Sequence, residues 1–169
     1  ENEELIDKYE DRLGTYLVRL SNNELSENMS HAIARMLHSI GDFERIGDHA
    51  LNICKVAEEM HNKNIHFSDE AKSEISVITA AVTEILNMAV DSFINDDKEV
   101  ASHVEPLEQV IDKLNKELKA RHVTRLQNGE CTIELGFVFT DLLTNYERVS
   151  DHCSNIAVYT MQLPTDMLD

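Results

Sequence analysis

Two ten-residue stretches, ERIGDHALNI at 44–53 and ERVSDHCSNI at 147–156, share six identities. Each carries a glutamate, an aspartate and an asparagine at four-residue spacing: Glu44, Asp48 and Asn52, then Glu147, Asp151 and Asn155. On a helix, residues four apart stand one turn above each other on the same face. The first column lies beside an apolar stripe of Ile33, Leu37, Ile40, Gly47 and Leu51, and the second beside Gly136, Thr140 and Val158. Carboxylates at the rim of an apolar stripe are costly unless they are paired or bound to a metal.

A second acidic repeat accompanies the first. The segment EELIDKYEDRL opens with Glu3 and contains Asp7; EQVIDKLNKEL opens with Glu108 and contains Asp112. An antiparallel hairpin brings together residues equidistant from its turn. Asp7 and Glu44, and likewise Glu3 and Asp48, are equidistant from a point at the edge of the turn SNNELS (21–26). The same relation joins Asp112 to Glu147 and Glu108 to Asp151 across QNGEC (127–131). Each hairpin thus sets two carboxylates opposite two more. Four carboxylates cannot crowd together ionised without a cation, because like charges raise one another's pKa. Hard divalent or trivalent metals, which prefer oxygen ligands, suit such a set. Asn52 and Asn155 could add an amide oxygen. His49 and His152 stand about 100° around the helix from their neighbouring aspartates and are expected outside the ligand set or at the surface. In a purely structural reading, Arg45 and Arg148 pair with acids of adjacent helices and no metal is needed.

These residues must be positioned by long helices. Apolar residues recur at i, i+3, i+4 and i+7 over five segments, about 2–20, 27–62, 69–95, 98–126 and 133–162. Ser26 and Ser68 stand where N-caps belong. The first segment is expected to bury Ile6, Tyr9, Leu13, Tyr16, Leu17 and Leu20, and Pro106 to kink the fourth. Long segments with short connections predict an all-α bundle of antiparallel helices. The repeat divides the chain into a first unit, 1–66, with two helices, and a second, 67–169, with three, in one compact domain. The first unit therefore lacks its first helix. Either that helix precedes Glu1 in a longer protein or a partner supplies it, and a homo-oligomer is expected.

The chain has 169 residues with 15 basic and 32 acidic side chains, a net charge of −17. That excludes a basic nucleic-acid footprint and unaided docking on anionic lipid. Cys54, Cys131 and Cys153 form no CxxC pair, which points to a reducing compartment rather than a disulfide framework. No run is read as approaching the roughly 18 apolar residues of a membrane span.

At DFERIGDHALNI and NYERVSDHCSNI the sequence resembles the PhoU family. That resemblance implies two repeated three-helix units, with the motif on the third helix of each. It implies that E(D)xxxD pairs bind multinuclear metal clusters, of iron or zinc, with manganese or magnesium as further candidates. The ligands would be Glu3, Asp7, Glu44 and Asp48 at one site, and Glu108, Asp112, Glu147 and Asp151 at the other. YLVRLSNNELSE and HVTRLQNGECTIELGFVFTDLLTNYERVSDH look like the soluble C-terminal tail of bacterial sodium/phosphate cotransporters. Ser150 departs from the repeat, which has Gly47 in the first copy, and Pro106 lies two residues before Glu108.

The resemblance implies a regulatory, non-enzymatic domain on the cytoplasmic face of the membrane that adjusts sodium-coupled phosphate uptake. Its partner would be the transporter's membrane domain in the same polypeptide, and phosphate is a candidate ligand. The alternative is a stand-alone cytoplasmic regulator of a histidine kinase and a phosphate ABC transporter. A metal-free helical interaction module and a di-metal carboxylate enzyme are the remaining readings. The enzyme lacks the paired ExxH motifs it would need.

Overall fold

A computed structural model describes residues 2–162 of the chain. Five α-helices follow one another: α1 (Asn2–Ser21), α2 (Glu27–Lys63), α3 (Asp69–Asn95), α4 (Lys98–Gln127) and α5 (Ile133–Gln162). The starts follow local chemistry. The hydroxyl of Ser26 accepts from the Met29 N–H at 3.3 Å and that of Ser68 from Ala71 at 3.2 Å. Asp97 takes the Glu99 and Val100 N–H groups at 3.0 Å each, and Thr132 takes that of Leu135 at 3.2 Å. Each satisfies a donor that the first turn leaves unpaired. Gly129, with φ of 72°, supplies the left-handed residue of the α4/α5 turn. The helix remains unbroken on both sides of Pro106.

The second unit is a closed three-helix bundle, in which α3, α4 and α5 each pack on the other two. Its core is aliphatic: Ile78, Ile85 and Ala89 meet Val104, Ile111, Leu118, Leu143 and Ile156, with Phe139 the one large ring among the fully enclosed side chains. The helix α3 carries a window apolar enough to cross a membrane by length and composition, contrary to the sequence reading; here its Ile78/Ile85/Ala89 face is covered by protein.

The first unit is open. Its α2 packs along α5, and among the described residues α1 packs along α2 alone. This corrects the expected inner face of α1, where only Leu17 is buried among the described residues. Ile6 and Leu13 are 37% and 46% exposed, whereas their counterparts in the second unit, Ile111 and Leu118, are 0% and 2% exposed. The difference is α3, which covers α4 and has no counterpart over α1 among the described residues.

Between the units, α2 and α5 cross as equivalent elements. Residue n of the first motif corresponds to n + 103 of the second. Asp42 accepts from His152 at 2.7 Å, and its counterpart Asn145 meets His49 at 2.9 Å. The two imidazoles stack at the centre, 5.7 Å between centroids. The seam therefore has a pseudo-two-fold axis through the histidine pair.

Candidate metal centre

The hairpin geometry brings the first acidic set together. Gly47 lets α1 approach α2: a Cβ there would stand 3.0 Å from Ile6 Cδ1. With the helices so close, one ligand oxygen from each of Glu3, Asp7 and Asp48 lies within 4.8 Å of the other two. Glu44 borders the group on α2. Burial, then the Asp48 charge, push its carboxyl above the ordinary value despite Arg45 beside it, and Asp7 adds to the rise. Among the described residues, no lysine or arginine pairs with Glu3, Asp7 or Asp48. The donor set is all oxygen, negatively charged and partly open to solvent, which fits a hard cation. Glu3, Asp7 and Asp48 would hold the ion, with Glu44 at its margin.

The second set is arranged differently. Lys116 Nζ lies 2.6 Å from Asp112, and Lys119 Nζ lies 2.8 Å from Glu147. Asn115, which is buried, donates to the same Glu147 oxygen at 2.9 Å. Glu108 and Asp151 face this group without a lysine of their own. Burial pushes both carboxyls up, helped for Glu108 by Glu105 and Asp112. Glu105 itself accepts from the Ser154 hydroxyl. Among the described residues, three ligand atoms converge within 4.8 Å at the first set and not at this one. Ser150, in place of Gly47, is buried with its hydroxyl unpartnered.

The remaining candidates lie elsewhere. Asn52 accepts from Lys55 at 3.4 Å, and Asn155 donates to Asp42 at 3.1 Å, away from the α4 carboxylates. His49 and His152 belong to the α2/α5 seam rather than to the surface. Arg45 and Arg148 each lie 3.5 Å from an acid of their own helix, Glu44 and Asp151, and not from a neighbouring one. Sequence reasoning missed Asp42, Glu105, Asn115, Lys116 and Lys119. Of these, Lys116 carried a legible signal, four residues after Asp112 on one helix.

A hollow at the far end of the bundle, lined by His66, Ser68, His122, Arg125, Glu130 and Cys131, does not rival the acidic site. Its arginine is committed to the buried Glu74 at 2.7 Å. Burial lowers the pKa of His122, with Arg125 adding to the effect, so that ring supplies no second cation.

Fold and site together define a class of proteins: bundles of long helices, built from a repeat, that carry acidic pairs on adjacent helices. The chain belongs to the PhoU domain family, which matches residues 1–57 and 75–160. It is 26% identical over 157 residues to the phosphate-specific transport system accessory protein PhoU homolog 1 of Thermotoga maritima, covering 85% of this chain and 67% of that protein. It is 28% identical over 134 residues to the PhoU homolog of Zymomonas mobilis, covering 79% of this chain and 54% of that protein. The chain thus spans about half to two thirds of the length of these curated relatives. The crystal structure of PhoU from Pseudomonas aeruginosa superposes with a TM-score of 0.80 at 22% identity, over 95% of this chain and 80% of that one.

Proposed function

We propose that the chain is a regulatory, non-enzymatic PhoU-type domain of phosphate transport that works as a metal-dependent clamp on its own first hairpin. The observation that carries the metal reading is the convergence of Glu3, Asp7 and Asp48 without a side-chain cation. Iron or zinc is the ion that the family resemblance implies; manganese or magnesium are the alternatives, harder cations that suit an all-oxygen donor set. The relatives are named as accessory proteins of phosphate-specific transport systems, which favours the stand-alone cytoplasmic regulator, acting with a kinase and an ABC transporter, over the cotransporter tail. The tail reading rests on the resemblance of its two sequence stretches. The open face of α1, with Leu5, Tyr9, Leu13 and Tyr16, is where a further helix would pack, whether from the same protein or from a second copy.

Two measurements test this reading. Elemental analysis of the purified protein should find iron, zinc or manganese, lowered in Asp7→Asn/Asp48→Asn. In cells, phosphate uptake should lose its response to external phosphate when the chain is deleted, and the double variant should reproduce the deletion. Uptake that responds normally in the deletion strain would refute the regulatory role.

A further inference from the structure

The two acidic clusters are equivalents by sequence repeat, yet their surroundings differ at three positions of the α1/α4 repeat. Residue n of α1 corresponds to n + 105 of α4, so Lys116 and Lys119 replace Asp11 and Gly14. These are the two lysines that reach Asp112 and Glu147 at 2.6 and 2.8 Å. An ammonium at such a distance occupies the volume and satisfies the charge that a metal ion would claim. Asn115, in place of Glu10, removes one further carboxylate and spends its amide on Glu147 at 2.9 Å. In the first hairpin, among the described residues, no lysine or arginine pairs with Glu3, Asp7 or Asp48, Arg45 reaching only Glu44 of its own helix at 3.5 Å, and there the three carboxylates converge.

We infer that Lys116 and Lys119, by pairing with Asp112 and Glu147, take the place of a metal in the second cluster, so that the protein carries one cation site, in the first hairpin, where its family pattern offers two. The inference rests on the metal reading above for the first site. For the second it rests on the lysines alone. The second hairpin has a lysine built in for two of its four carboxylates, Asp112 and Glu147, and keeps its geometry at any metal concentration. The first hairpin draws its counter-charge from solution and is the part of the molecule that responds to metal.

The test exchanges the two settings. Zinc and iron(II) uptake is measured by equilibrium dialysis and elemental analysis on four proteins: the natural chain, D7N/D48N, K116D/K119G, and the four substitutions combined. K116D/K119G installs the residues that the first repeat carries. K116Q/K119Q, which removes the charges without adding an acid, serves as a second opening variant should the first fail to fold by circular dichroism. Expected are uptake by the natural chain, loss of at least tenfold in affinity in D7N/D48N, and return of binding when the lysines are also replaced. Metal retained by D7N/D48N and then lost on Asp112→Asn/Glu147→Gln would overturn the inference while leaving the proposed function standing. Failure of both lysine variants to gain metal would also overturn it. No uptake by the natural chain, with uptake gained by the lysine variants, would refute the first site and uphold exclusion by lysine at the second.

Discussion

His152 and Asp42 meet at 2.7 Å across the α2/α5 seam, and this contact is one half of a near-symmetric pair whose other half joins His49 to Asn145 at 2.9 Å. The two halves differ in the acceptor, a carboxylate in one copy and an amide group in the other. Asp42 also accepts from Asn155, so one carboxylate holds two donors of the opposite unit. Asp42→Ala should therefore leave two part-buried donors unpaired and cost about 1–3 kcal/mol. Asp42→Asn, which restores the symmetry of the seam and keeps an acceptor, should cost less than half as much. Urea unfolding midpoints of the two variants check this. Equal losses would mean that shape, and not the acceptor, holds the seam.

A second charged contact is buried outright. Arg125 donates to Glu74 at 2.7 Å, and both side chains are more than nine-tenths enclosed between α3 and α4. The guanidinium also lies 5.6 Å from the Phe139 ring centre. Removing Arg125 leaves the buried Glu74 with only the longer contact of Arg121 at 3.6 Å, so Arg125→Ala should destabilise the chain by about 3 kcal/mol, the low end for a broken buried pair. Replacing both at once, Arg125→Met with Glu74→Leu, should be close to neutral, because desolvation offsets much of what the pair gains. Calorimetric unfolding of the single and double variants decides between these outcomes.

The helices were legible because their signals are local. Ser26 and Ser68 cap where their spacing to the apolar run says they should, and the repeat placed Asp7 opposite Glu44 before any coordinates. Two things were not legible. Periodicity says which face of α1 is apolar, but not whether another element covers it; Ile6 and Ile111 have the same pattern and opposite burial. Nor does spacing give rotation about a helix axis. Glu108 and Asp112 had the same register as Glu3 and Asp7, yet what surrounds them was decided by Lys119, which reaches across to Glu147 on α5. A lysine on an acidic helix reads as a solvated charge until the partner helix is in place.

The openness of α1 predicts where metal should act. The helix packs on α2 alone, and Leu17 is its one buried side chain among the described residues. Few buried contacts mean low local stability and fast amide exchange. A cation bridging Glu3 and Asp7 to Asp48 should slow exchange in α1 by about 100-fold at a free zinc concentration 100 times its dissociation constant. Exchange in α4, braced by Lys116 and Lys119, should not change. Hydrogen exchange by mass spectrometry with and without zinc resolves the two helices. Equal protection in both would mean that metal acts on the whole bundle rather than on the first hairpin.

The metal-free protein should also lose stability as pH rises above the ordinary carboxylate range. Glu44, Glu108 and Asp151 are all held above their ordinary values, chiefly by burial and then, for Glu44 and Glu108, by neighbouring acids. Between the ordinary value and the raised one, the folded state binds more protons than the unfolded chain. Stability therefore falls as pH climbs through that window and levels off above it. Zinc should reverse the sign for the first hairpin, since a metal competes with protons for the same oxygens and binds better as they leave. Urea midpoints measured upward from the ordinary carboxylate range follow the slope. Glu108→Gln and Asp151→Asn should flatten the metal-free slope and leave the effect of zinc intact. Asp7→Asn/Asp48→Asn should abolish the effect of zinc, while the contribution of Glu108 and Asp151 to the slope persists. A slope that zinc leaves unchanged in the natural chain would show that the ion does not compete for these carboxylates.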